Sequence, residues 1–346
     1  MSRRKHTEDL DRSRPGDPAR DRVRPSVLAP SRLTVLGVAA CAAVGLAVAP
    51  LGAQPTKGKP PLEAQPGAAQ PLPVARAHGV KADPSGRVFT ATPQGLFVSH
   101  DRGRTWSPLA VDGSHDEVFS LSVDPTNSDR IVVGRRDGLR ETRDGGRSFT
   151  ALGAPSLVPG VPLAIAIADA RPSTLYVATS RDGIFRSTDG GLRWSPGRGL
   201  PEARAGGRPE EIRTLAADPR DADAAYAAHE QHGVYRTTDG GTTWAPDNRG
   251  LPFPLGRRGP APRLAFDPDQ PTRLYLVFGE PLHSGLVMNR LYQRTNGGEW
   301  VALEVDLPEN MPILGLTVDR AARVLQLWTE EGVWEVPLGA KGGSGP

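Results

Sequence analysis

The sequence predicts an all-β chain: a single β-propeller of four-stranded blades, six of them, with seven as the alternative count. Three observations carry this. A cluster of residues recurs as GLFVSHDRGRTW (Gly95 to Trp106), GLRETRDGGRSF (Gly138 to Phe149), GIFRSTDGGLRW (Gly183 to Trp194) and GVYRTTDGGTTW (Gly233 to Trp244). A worn fifth copy reads RLYQRTNGGEW (Arg290 to Trp300), and a sixth starts as GVWEVPL at Gly332. Two short apolar runs precede each copy, and the aspartates that close the first runs are 41, 45, 49, 49 and 52 residues apart, the period of a four-stranded blade. Finally, 40 Gly and 35 Pro among 346 residues supply the turns such a meander needs.

The elements follow in order within each unit. The first runs, VKADP, LSVDP, IAIAD, LAADP, LAFDP and LTVDR, end at Asp83, Asp124, Asp169, Asp218, Asp267 and Asp319 and read as small, apolar strands for a crowded central channel. The second runs (RVFTAT, RIVVGR, TLYVATS, AAYAAH, RLYLVF, VLQLWT) and the starts of the repeat copies alternate β-branched and aromatic residues, as half-buried strands do. A fourth strand begins at the closing aromatic. The last unit ends at Leu338 without its fourth strand, so residues near Leu72 to Ala77 are expected to supply it and close the ring.

The repeat resembles the Asp box, or bacterial neuraminidase repeat, Ser/Thr-x-Asp-x-Gly-x-Thr-Trp. It occurs as Ser99, Asp101, Gly103, Thr105, Trp106 and as Thr237, Asp239, Gly241, Thr243, Trp244. Thr142, Asp144, Gly146, Ser148, Phe149 and Ser187, Asp189, Gly191, Arg193, Trp194 each carry one departure. The resemblance covers residues 80 to 340 and implies the propeller fold; sialidases, xyloglucanases, sortilin-type receptors and photosystem II assembly factors share it. The motif itself reads as structural. Glycines give the hairpin its positive φ, the Asp and hydroxyl satisfy turn amides, and the aromatic packs between blades. A catalytic carboxylate is rarely needed four times.

The N-terminus reads as a targeting device. Residues 1–32 form a basic n-region with nine Lys or Arg against five acids, so the chain's formal +3 leaves the rest close to neutral. That balance excludes a nucleic-acid partner, which needs a basic face. Residues 33–53 are uncharged and at 1.5 Å per residue would span about 31 Å, enough for a bilayer core. They read as a transmembrane signal anchor, or alternatively a cleaved signal peptide, with the positive flank placing the propeller in the periplasm or outside the cell. Cleavage would make it secreted. Cys41, the single cysteine, stands in a lipobox-like context, Val38-Ala39-Ala40-Cys41, but the apolar run continues well past it. Residues 54–75 are a Pro/Gln/Ala-rich linker, 76–340 the propeller, and 341–346 a tail.

In an up-and-down meander, the turns from strand one to two and from three to four share one face, and the other loops share the opposite face. The boxes thus mark the face away from the usual binding funnel. That funnel face collects Arg135, Arg136, Asp137, Arg181, Asp182, His229, Glu230, His232, Glu280 and His283 as binding-face candidates. No nucleotide-binding loop, metalloprotease motif or cysteine pair exists, so no cofactor and no metal is expected. The chain therefore reads as a membrane-anchored, extracytoplasmic scaffold that binds a protein partner. The alternative is a glycan-binding protein or a sialidase-like glycoside hydrolase working through Asp137, Asp182 and Glu230. Against a sialidase, the Arg-Ile-Pro signature is absent, and Tyr176, Tyr226, Tyr235 and Tyr275 sit at packing positions.

Overall fold

The computed structural model describes residues 62–73, 76–153, 160–201, 212–229, 232–252, 261–281, 287–307 and 309–338. The expected membrane segment at 33–53 and the tail at 341–346 lie outside them. Among the described residues every regular element is a strand, and no helix is long and apolar enough to cross a membrane.

Strands β1 (Leu62–Glu63) and β2 (Gln65–Pro66) come first. The first blade is β3 (Gly79–Ala82), β4 (Val88–Thr92), β5 (Gly95–Ser99) and β6 (Ser107–Leu109). The second is β7 (Ser120–Asp124), β8 (Asn127–Arg135), β9 (Gly138–Thr142) and β10 (Thr150–Ala151); the third is β11 (Pro162–Ile167), β12 (Leu175–Thr179), β13 (Gly183–Ser187) and β14 (Ser195–Pro196). The fourth comprises β15 (Ile212–Asp218), β16 (Asp221–His229), β17 (Gly233–Thr237) and β18 (Ala245–Pro246), and the fifth β19 (Arg263–Asp267), β20 (Gln270–Pro281), β21 (Val287–Thr295) and β22 (Val301–Leu303). After β23 (Val305–Asp306), the sixth blade holds β24 (Gly315–Asp319), β25 (Val324–Trp328) and β26 (Val333–Pro337), with β2 as its outer strand. The chain is a six-bladed propeller, six four-stranded sheets each ordered one to four.

Ring closure is real but uses other residues than expected. Gln65 pairs with Glu335 and Pro66 with Trp334, while Leu62 and Glu63 pair in parallel with Val305 and Asp306. The strand lies in the Pro-rich stretch read as linker. Proline is tolerated there because an outermost strand need not donate on its solvent side. Leu72 and Ala77 instead bury their side chains beside Val80, Val88, Leu314 and Trp328, where the sixth blade meets the first.

Each blade interface has its own apolar cluster, and the box aromatics explain five of them. Phe149 of the second blade packs on the first, Trp194 of the third on the second, Trp244 of the fourth on the third, and Trp300 of the fifth on the fourth. Trp106 of the first packs on the sixth, its ring edge-on to Trp328 at 6.1 Å between centroids. The remaining interface, fifth to sixth, has no box; Ala64, between β1 and β2, is buried there with Leu307, Leu325 and Val336. The borrowed N-terminal segment thus fills the place of the missing repeat.

The aspartates that gave the period cap the turns from strand one to two. Asp83, Asp124, Asp218, Asp267 and Asp319 accept turn amides two residues on, at 2.8 to 3.0 Å. Asp169 breaks the series. Its strand ends at Ile167, and Ala168, not Asp169, closes the turn by bonding Thr174 O at 3.0 Å. Asp169 is one residue out of register and occupies the channel-rim position that Pro125, Pro219 and Pro268 hold in the second, fourth and fifth blades.

Candidate functional site

On the box face the carboxylates are saturated. Asp101 Oδ1 accepts from Ser99 Oγ at 2.7 Å and Thr105 N at 2.8 Å, and its Oδ2 accepts from Thr105 Oγ1 at 2.7 Å. Asp144 repeats this set with Thr142 and Ser148, and Asp239 with Thr237 and Thr243. The hydroxyl and amide of Thr105 or Thr243 hold Asp101 and Asp239 down to about 2. Asp144 is depressed for the same reason by Ser148. Asp189 is depressed chiefly by the Arg193 amide, because arginine offers it no hydroxyl. Carboxylates so satisfied have no proton to give at neutral pH. The glycine of the motif is required by space: at Gly103, with φ 86°, a Cβ would meet the Trp328 ring at 2.6 Å.

The opposite face is built from strand ends and carries most of the predicted residues. Arg136 and Asp137 form the turn between β8 and β9, and Arg181 and Asp182 the turn between β12 and β13. Arg136, Asp137, Arg140, Gly160, Val161 and Arg181 line one open recess of about 690 Å³ between the second and third blades. In and beside it the arginines differ. Arg135 is tied inward, to Asp116 at 2.9 Å and to Val111 O at 3.0 Å. Arg140 grips Asp137 at 2.6 Å and also reaches Asp112. Arg136 is 77% exposed, lies 5.4 Å over the Phe119 ring and stands 3.7 Å from Glu117; Arg181 is also exposed. The outward-facing cations of this recess are therefore Arg136 and Arg181.

The remaining candidates are dispersed. His229 is buried and packs its ring 4.7 Å from that of His232, whose amide it accepts at 3.3 Å. Glu230 and His283 lie outside the described residues, and Glu280 is described by its backbone alone, in β20. Asp182 is exposed, its amide bonded to Thr179 Oγ1 at 3.1 Å. Asp137, 59% exposed and paired to Arg140 and Arg135, is placed as an ion-pair partner, whereas a glycosidase acid needs a desolvated carboxyl. The turn carboxylates of Asp124 and Asp218 are taken up by Arg130 at 3.1 Å and Arg220 at 2.9 Å.

Two titratable groups that the motifs did not single out stand in the central channel. Lys81, on β3, lines it, and burial together with neighbouring Arg263 brings its amine down to about 8. At the box-face end, burial and then Asp124 and Asp218 push Asp169 up to about 6. Sequence held one signal for Lys81: between residues 60 and 340 it is the only lysine in a chain that otherwise uses arginine.

Fold and repeat geometry together define a BNR-like β-propeller. The sequence model described as "Photosynthesis system II assembly factor YCF48" matches residues 82–251. A curated relative, "Photosystem II assembly lipoprotein Ycf48" of Synechococcus sp. (strain CC9902), is 26% identical over 113 residues, 32% of this chain and 33% of the relative; the chain thus spans about a third of that protein. Among solved structures, the Niastella koreensis GH74 enzyme superposes with a TM-score of 0.56 at 20% identity, covering 75% of this chain and 41% of that one. An ancestral GH74 enzyme gives 0.52 at 21% identity, over 76% and 35%. At such identities the GH74 likeness speaks to fold.

Proposed function

We propose that the chain is a non-catalytic protein-binding scaffold for complex assembly, docking its partner on the loop face where the second and third blades meet. The observation that carries this reading is the asymmetry of that recess, where Arg136 and Arg181 face solvent from adjacent blades while Arg135, Arg140 and the carboxylates are spent on holding the loops. Two exposed guanidiniums on rigid strand ends suit carboxylate recognition on a protein surface, since the arginine fork binds such groups bidentately. The match to an assembly-factor family and a relative named as an assembly lipoprotein support the same reading, and make a multisubunit membrane complex the first setting to test. Residues 33–53 would tether the propeller to the membrane on its extracytoplasmic side, with residues 54–61 as part of the lead to the ring. A glycan in the recess remains the rival occupant.

The test is cross-linking and capture from native membranes with the full chain, wild type against Arg136→Glu/Arg181→Glu. The scaffold reading expects one specific protein captured by the wild type and lost in the variant. A response on a glycoside screen, lost with Asp137→Asn while no protein is captured, would replace it with the hydrolase reading. Arg135 is left out because its contacts with Asp116 and Val111 hold the loop itself.

A further inference from the structure

The innermost strands stack equivalent positions of the six blades into layers around the channel. Toward the loop face, one layer is Gly79, Ser120, Ala164, Thr214, Gly315 and Arg263. The next layer is Ser122, Ala166, Ala216, Ala265, Thr317 and Lys81. In each, five small side chains leave space and one cation fills part of it. The repeat asks only for small residues there, so the blade pattern calls for neither cation.

Lys81 and Arg263 line the same cavity, and, after burial, Arg263 contributes to depressing both Lys81 and His78. Arg263 is fixed in place, its Nε donating to Leu314 O at 2.9 Å. Arg213 joins the same lining, and no carboxylate stands among the described residues that form it. Glu117, an acid beside His78, is engaged with it at 3.0 Å and lies 3.7 Å from Arg136. The half-buried Lys81 side chain makes no hydrogen bond or ion pair among the described residues, whereas an ammonium drawn partly out of water is normally paired. The cavity here, about 40 Å³, has room for a few waters or for one small oxyanion.

We propose that the central channel binds a small oxyanion of phosphate size between the Lys81 and Arg263 layers. Lys81 supplies a compact charge from below and Arg263 a fixed guanidinium from above. Ring closure on all six sides lowers the local dielectric, so the attraction exceeds that of a surface pair. The site is separate from the rim recess, and its test does not depend on a protein partner.

The experiment is calorimetric titration of the full-length protein with inorganic phosphate at pH 7. The wild type is expected to bind one phosphate per chain, Lys81→Met to lose at least tenfold in affinity, and Lys81→Arg to recover most of it. Removing an unpaired, half-buried charge should leave the Lys81→Met fold intact, checked by an unchanged near-UV dichroism spectrum. Arg136→Glu/Arg181→Glu should bind phosphate as the wild type does. The proposal is overturned if the wild type binds no phosphate up to about 10 mM, a free energy below 3 kcal/mol, if a folded Lys81→Met binds as tightly as the wild type, or if affinity follows the rim variant.

Discussion

The two faces of this ring use charge in opposite ways. On the box face the box carboxylates are repeated by the blade pattern and answered within four residues by their own hydroxyls and amides, as Asp101 is by Ser99 and Thr105. On the loop face the charges recur in two adjacent blades only, as Arg136-Asp137 and Arg181-Asp182, and some of their neighbours are held from far along the chain, as Arg135 reaches back to Asp116 and Arg140 to Asp112. What recurs serves the fold; what breaks the recurrence is available for something else. Arg136, Arg181, Lys81 and Asp169 all belong to the second kind.

The comparison breaks first if closure does not depend on the borrowed segment. Deleting residues 62–66 removes β1, β2 and buried Ala64 together, and opens the one interface without a box aromatic. A loss of about 5 kcal/mol or more, roughly 10 °C or more in thermal midpoint, is expected in a calorimetric scan; an unchanged midpoint would show that other contacts close the ring. Next in size, Trp244→Ala should cost about 3–5 kcal/mol by denaturant titration, because the ring is 3% exposed and edge-on to Tyr176 at 6.2 Å. Trp194→Ala, at a half-buried copy of the same position, should cost less.

Smaller still is the acid response of the boxes. Their carboxylates are depressed in the folded state, so the stability they contribute is present above the unfolded value near 4 and lost as pH falls toward about 2. Asp101→Asn/Asp239→Asn should flatten the decline of the thermal midpoint between pH 4 and 2, and an equally steep decline would assign it elsewhere. Smallest is Arg136→Glu/Arg181→Glu, expected to change stability by no more than about 0.5 kcal/mol, so that any loss of binding is not a loss of fold.

The sequence made the blades legible because their turns have local chemistry: Gly103, Asp101 and Trp106 act within one hairpin, and spacing repeats it. It also placed Arg136, Asp137, Arg181 and Asp182 on the turns where they lie. Three things escaped it, each for a physical reason. The closing strand Gln65–Pro66 carries no strand pattern, since two residues on an outer edge need only two pairings. The shift of Asp169 was masked by an aspartate one residue away from where the pattern expects one, and only the pairing of Ile167 with Leu175 reveals it. The division of labour among arginines was invisible because it depends on the strand-four-to-one loop, whose Asp112 and Asp116 lie more than 18 residues from the arginines they hold.

The most direct test of the central claim is a hydrogen-exchange footprint of the full chain with its captured partner bound. The account predicts slowed exchange at the amides of 135–138 and 180–183, with the box turns at 101–106 and 239–244 unchanged. Protection confined to the box turns, with the loop-face amides exchanging as in the free protein, would contradict it.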